Sequence, residues 1–116
     1  MLGHSYGLRK ISSIVEDFNN IKNIKIEIVP TKNHNIGLYS TGCRLFFPNS
    51  TYSLSVQTDS LVAGDSFCET ALLLNDDIIY DGSLGYDDVI RHYEIEDLKK
   101  HLEEIYNSIN HENTEV

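Results

Sequence analysis

The stretch Tyr52–Gln57 reads Tyr-Ser-Leu-Ser-Val-Gln and alternates apolar with polar residues at every second position. Successive side chains of a β-strand point to opposite faces, so this alternation predicts a strand with one buried and one solvated face. The apolar run at residues 67–74 predicts a second strand. Residues 75–77 (Asn-Asp-Asp) predict a tight turn into a third strand over residues 78–80, and therefore a hairpin.

Weaker strand patterns lie on both sides of this central region. Ile24, Ile26 and Ile28 alternate with charged residues and predict a strand that Pro30 ends. Residues 31–35 predict a polar loop. Residues 36–47 predict strand structure interrupted near residues 40–42, as a hairpin or as one long bulged strand, and residues 89–93 predict a short edge strand or irregular chain.

Apolar residues recur at helical spacing near both ends of the chain. Leu8, Ile11, Val15 and Phe18 predict a helix over about residues 6–20. Apolar residues three and four apart from Ile95 onward predict a second, amphipathic helix that ends near residue 109. Its apolar stripe is Leu98, Leu102, Ile105 and Ile109, with His101 on the flank of that stripe.

These elements predict the α+β class: a helix, four to six mostly antiparallel strands, and a C-terminal amphipathic helix, with both helices packed on one face of the sheet. The length of 116 residues predicts a single domain over residues 1–116, with residues 1–5 and 111–116 frayed. The chain has no apolar run of 18 residues and its N-terminus lacks the apolar core of a signal peptide, so we expect a cytoplasmic protein without a membrane anchor.

The net charge of -9 lies entirely in the last third of the chain. Residues 1–75 are neutral in sum, whereas residues 76–116 hold twelve acids and three bases. An acidic surface repels phosphate groups, so direct binding of nucleic acid or of an anionic membrane is disfavoured. Cys43 and Cys68 match neither a disulfide scaffold nor a zinc site, and we expect both to be reduced and buried.

Residues 64–66 (Gly-Asp-Ser) resemble the nucleophile block of GDSL-type hydrolases. Those enzymes also need a histidine base, oriented by an aspartate, from a downstream Asp-x-x-His. Here Asp88 precedes His92, and Asp97 precedes His101, at a spacing one residue too long. We therefore predict no catalytic residue. A small hydrolytic or metal-dependent enzyme that uses loops 58–66 and 81–92 remains an alternative.

Carboxylates are frequent around residues 76–88 but do not have the spacing of a calcium loop. The five histidines also lack the spacing of zinc ligands, so we predict no metal and no cofactor. Glu69 interrupts the second strand. Because an unpaired buried charge is costly, we expect its face to be partly solvated and Glu69 to pair with Arg44 or a lysine.

Four segments resemble parts of small accessory proteins of bacteriophages and mobile elements. They are Tyr-Ser-Leu-Ser-Val-Gln-Thr from Tyr52, the strand at residues 67–74, Gly-Tyr-Asp-Asp-Val from Gly85, and Glu-Ile-Glu-Asp-Leu from Glu94. The resemblance covers about residues 52–109. It implies a small protein that acts by binding a host or phage component, in the host cytoplasm if a phage encodes it.

We therefore predict a non-enzymatic, small acidic accessory protein that binds a protein partner, such as a basic surface that handles nucleic acid. The predicted partner-binding residues are the acids Asp87, Asp88, Glu94, Glu96, Asp97, Glu103 and Glu104. Two alternatives stay open: the acids only keep the domain soluble, or the protein is a structural subunit that self-associates, for example as a homodimer.

Overall fold

A computed structural model describes residues 3–4, 6–36, 39–58, 63–80, 86 and 88–114 of the chain. The elements are β1 (Gly3–His4), α1 (Tyr6–Lys22), β2 (Glu27–Ile36), β3 (Tyr39–Phe46), β4 (Tyr52–Gln57), β5 (Cys68–Leu74), β6 (Asp77–Ile78), β7 (Ile90–His92) and α2 (Ile95–Thr114). The predicted α+β class is confirmed: an N-terminal helix, a mostly antiparallel sheet and a C-terminal helix. Helix α2 continues five residues beyond its predicted end.

The sheet has the order β1-β3-β4-β5-β6 in its described strands, with β2 paired to β3 and β7 paired to β5. The two-residue strand β1 runs parallel to β3, and every other pair is antiparallel. Strands β6 and β7 pair with opposite ends of β5. The β5–β6 turn therefore lies at one end of β5, and β7, which leads into α2, lies at the other end.

The connection between α1 and β2 is held by one side chain. The amide of Asn19 accepts a hydrogen bond from the backbone N–H of Ile26 at 2.8 Å and donates to its carbonyl at 3.1 Å. Asn23 supplies the left-handed backbone conformation (φ 53°) that the reversal needs. Asn19 therefore sets where the chain enters the sheet.

The predicted end of the first strand at Pro30 was wrong. Strand β2 runs through Pro30, which lies opposite Cys43 of β3. Among the described strands β2 pairs only with β3, and an edge strand tolerates proline because the missing N–H would point away from the sheet. Residues 31–35 belong to the same strand. The irregularity expected near residues 40–42 is present at that level of the sheet, with the extra residues on β2 between Thr31, opposite Gly42, and Asn35, opposite Ser40.

The predicted hairpin after β5 is confirmed. Leu73 lies opposite Ile78, and Leu74 lies opposite Asp77. Asn75 and Asp76 both have positive φ (52° and 69°), the conformation of a two-residue hairpin turn that matches the twist of its strands. Asn and Asp are the non-glycine residues that adopt it most readily.

One cluster of buried apolar residues joins both helices to a single face of the sheet. It includes Leu8 and Ile11 from α1, Leu54 from β4, and the predicted stripe of α2. Cys43 and Cys68 are free and buried in it, as expected. No helix in the described ranges is long and apolar enough to cross a membrane.

Candidate functional site

The predicted acidic residues do not form one free acidic surface. Asp87 lies outside the described residues. Glu103 pairs with Lys22 of α1 at 2.7 Å, and Glu96 pairs with Lys99 at 3.2 Å. The carboxylate of Asp97 accepts the backbone N–H of Glu94 at 3.0 Å, which caps the start of α2.

All six of the predicted acids that the structure describes are exposed, Asp88, Glu94 and Glu104 among them. Asp88 accepts the N–H of Val89 at 2.8 Å. Helix α2 holds more acids than bases, so its net charge is negative.

The loops of the enzyme alternative show no catalytic arrangement in their described part. The hydroxyl of Ser66 donates to the carbonyl of Ala63 at 2.5 Å and also lies 3.2 Å from the carbonyl of Cys68, so it closes a turn. Within the parts of the chain that the structure describes, no group of three His, Cys, Asp or Glu side chains could hold a metal ion. Residues 59–62 and 81–85 lie outside those parts.

A chain of polar side chains is buried where α2 meets the sheet. Thr70 of β5 lies at its centre, with its hydroxyl 2.8 Å from Nε2 of His92 and 2.7 Å from the hydroxyl of Tyr86. The Tyr86 hydroxyl continues the chain to Nε2 of His101 on α2 at 2.6 Å. The two histidine rings also pack together, with centroids 4.8 Å apart. We call these four residues the histidine chain.

Burial holds both histidines of this chain in the neutral form. Burial, followed by the nearby His101, lowers the pKa of His92 from 6.5 to about 4, against an opposing effect of Asp97. Burial alone lowers the pKa of His101 to about 4. His101 lies beside the apolar stripe, as predicted, and is itself buried. Its polar ring is compatible with burial because Tyr86 pairs with it.

The opposite face of the sheet, away from both helices, is the second candidate. We call it the open face; its described members include Val29, Thr31, Arg44, Ser55, Gln57, Glu69, Ala71, Leu73, Ile78 and Arg91. Small side chains lie at its centre, where Ser55 is opposite Ala71. Ile78 and Val29 are 56% and 40% exposed. The centre of the open face is therefore a shallow depression, with apolar side chains at its margins.

Two ion pairs balance the charges of the open face. Arg44 donates to the Ser53 hydroxyl at 2.6 Å and to the carboxylate of Asp76 at 2.8 Å. Glu69 pairs at 3.2 Å with Arg91, its direct neighbour on β7. The expected partner of Glu69, Arg44 or a lysine, was wrong because the β5–β7 register puts Arg91 next to it.

A cavity of about 230 Å³ lies on the open face, lined by Thr31, Arg44, Ser55, Gln57, Ala71, Leu73 and Ile78. Among the described residues, three buried side-chain polar atoms have no hydrogen-bond partner within the protein: Thr31 Oγ1, Arg44 Nε and Gln57 Oε1. All three belong to residues that line this one cavity. Buried polar groups are nearly always paired in folded proteins, so the coincidence marks this place as unusual.

A larger cavity of about 390 Å³ opens between the two helices, beside Phe18, Ile21, Lys22 and Glu103. Of its charged lining residues, Lys22 pairs with Glu103 and Lys99 pairs with Glu96. In the described part of the chain, it has no buried polar atom that lacks a partner. We therefore interpret it as a groove between packed helices.

Neither candidate was identified from the sequence. Ser55 and Gln57 are partly exposed on the polar side of β4, as the alternation predicts, but Ser53 on the same side is buried. The approach of Arg44 and Thr31 depends on the pairing of three strands. His92 and His101 carried no recognisable spacing, because a strand and a helix bring them together.

Comparisons with known proteins do not distinguish among the candidate sites. No protein-family model, curated protein or solved structure matches the chain. The choice between the open face and the acidic side of α2 therefore depends on the geometry of the residues themselves.

Proposed function

We propose that this protein is a non-enzymatic accessory protein that binds a basic protein partner through its open face. The observation that carries the proposal is the convergence of three unpartnered buried polar atoms on one cavity of that face. A buried polar group without a hydrogen bond costs about 1–3 kcal/mol. A partner that let these side chains form hydrogen bonds would recover part of that cost.

The chemistry of these atoms indicates what the partner presents. Arg44 Nε is a donor and Gln57 Oε1 is an acceptor, so together they match an amide, which offers both a carbonyl and an N–H. Ile78 and Val29 would contact apolar side chains on either side of it. Because Arg44 and Arg91 are already ion-paired, a charged group is not the favoured occupant. The contact is an uncharged patch with an amide at its centre.

In this proposal the acidic last third of the chain attracts the partner but does not form the short-range contact. Its charges act over a long range, attract a basic partner and raise the rate of association. The resemblance to accessory proteins of phages and mobile elements supports a partner that handles nucleic acid, met in the cytoplasm of the host. Short-range contact at the open face then determines how long the complex lasts.

Affinity capture from the native host tests the proposal with a matched pair of variants. Ile78→Arg places a charge on the open face, whereas Ile21→Arg makes the same change at an isoleucine of α1 that is 79% exposed. We expect Ile78→Arg to lose the captured protein and Ile21→Arg to retain it. A double reversal, Glu96→Lys with Glu104→Lys, should retain the partner at high salt and bind it more slowly at low salt.

Three results would contradict the proposal. Retention by Ile78→Arg would exclude the open face, and loss with Ile21→Arg alone would assign binding to the groove between the helices. If the species bound by the open face were a second copy of this chain, light scattering would show a dimer that Ile78→Arg dissociates, and the proposed foreign partner would be wrong.

A further inference from the structure

The histidine chain contains three hydrogen bonds, and each of them needs one proton. The hydroxyls of Thr70 and Tyr86 supply two. The third must come from Nε2 of a histidine, either His92 at one end or His101 at the other. If both Nε2 atoms were acceptors, both hydroxyl protons would point outward and the two oxygens would meet at 2.7 Å without a proton between them.

We propose that His92 and His101 hold opposite tautomers and that the chain works as an acid-sensitive latch between α2 and the sheet. One histidine donates from Nε2 and the other accepts there, so all three hydrogen bonds run in one direction. The latch joins β5, β7 and α2 through four side chains. The inference does not depend on the proposed function.

Acid opens the latch because the accepting histidine already carries a proton on Nδ1. A second proton can bind only at Nε2, the atom that accepts the hydrogen bond. Once both Nε2 atoms are donors, one hydroxyl proton in the chain has no acceptor, and two cationic rings lie 4.8 Å apart. The other titratable groups near the pair, in the described part of the chain, are Cys68 on β5, Tyr86 itself and Asp97 at the start of α2. Of these, only Asp97 favours a protonated His92.

Burial shifts the pKa of both histidines in the direction that the latch requires. The pKa of each histidine is lowered from 6.5 to about 4, so the folded protein binds these protons less readily than the unfolded chain. The latch is therefore fully effective above pH 6.5 and weakens as the pH falls from 6.5 toward 4.

Ring nitrogen NMR on the intact, ¹⁵N-labelled protein at neutral pH tests the tautomers. We expect one of the two rings to carry its proton on Nε2 and the other on Nδ1. Two identical tautomers would overturn the proposal.

Amide hydrogen exchange tests the latch. As the pH falls, amides of α2, such as those of Leu98 and Leu102, should lose protection at a higher pH than amides of β4, such as that of Leu54. Tyr86→Phe removes the hydroxyl that joins the two halves of the chain and should move the loss in α2 to a higher pH. Tyr106→Phe, the same change on a tyrosine that packs edge-on against Phe18, should not. Simultaneous loss in α2 and β4, or no shift with Tyr86→Phe, would overturn the latch.

Discussion

The hydroxyl of Tyr86 lies 2.6 Å from Nε2 of His101, and both residues are buried. This hydrogen bond connects the segment before β7 to helix α2. Because Tyr86 also bonds Thr70 of β5, a single hydroxyl links three parts of the fold. Its loss would leave Nε2 of His101 without this partner, whereas Thr70 would keep its hydrogen bond to His92.

Tyr86→Phe should therefore lower the free energy of unfolding by about 1–3 kcal/mol, since a nitrogen of His101 would stay buried without a partner. Tyr106→Phe should change it by less, because Tyr106 is only half-buried and its ring contact with Phe18 is kept. Urea denaturation followed by circular dichroism measures both. An equal decrease in the free energy of unfolding of the two variants would show that the histidine chain does not contribute more to stability than the Tyr106 hydroxyl does.

The stability of the protein should fall with acid in a defined window. Both histidines have folded-state pKa values lowered from 6.5 to about 4, so their contribution is present above pH 6.5 and lost as the pH falls toward 4. Where both titrate, the free energy of unfolding should change by up to about 2.7 kcal/mol per pH unit. His101→Gln should reduce this slope toward that of one proton. An unchanged slope would contradict the assignment.

Two glycines lie directly beneath other side chains, and replacing each with alanine should change the stability of the protein by different amounts. A Cβ at Gly7 would lie 2.6 Å from Cβ of Thr58, a short and stiff side chain. Gly7→Ala should therefore destabilise by about 1–3 kcal/mol despite the better helix propensity of alanine. The atoms nearest to a Cβ at Gly42 belong to the flexible end of Gln57, so Gly42→Ala should cost less. Thermal unfolding of both variants checks this order, and the reverse order would contradict it.

The parts of the fold that the sequence predicted are those determined locally. The alternation in Tyr52–Gln57 and the stripe of Leu98 and Leu102 each arise from the geometry of one element. Pro30 misled because its place in an edge strand depends on which strands flank it. The histidine chain was not predictable for the same reason, since Thr70 and His101 meet only after the sheet and α2 have packed.

The same distinction applies to the candidate binding surface. The excess of acids after residue 75 is visible in the sequence, but the ion pairs Lys22–Glu103 and Lys99–Glu96 are not. The cavity on the open face needs β2, β3 and β4 in register, so that Thr31, Arg44 and Gln57 converge. Composition therefore pointed to α2, whereas our proposal starts from the tertiary structure and names the open face.

The rate at which the captured partner dissociates tests the open face most directly. It should be measured for the native protein, Ile78→Arg and Ile21→Arg under identical salt conditions. We predict that dissociation is roughly tenfold faster or more for Ile78→Arg, which corresponds to a loss of about 1.4 kcal/mol, and unchanged for Ile21→Arg. Unchanged dissociation from Ile78→Arg, or faster dissociation from Ile21→Arg, would contradict the assignment of the open face.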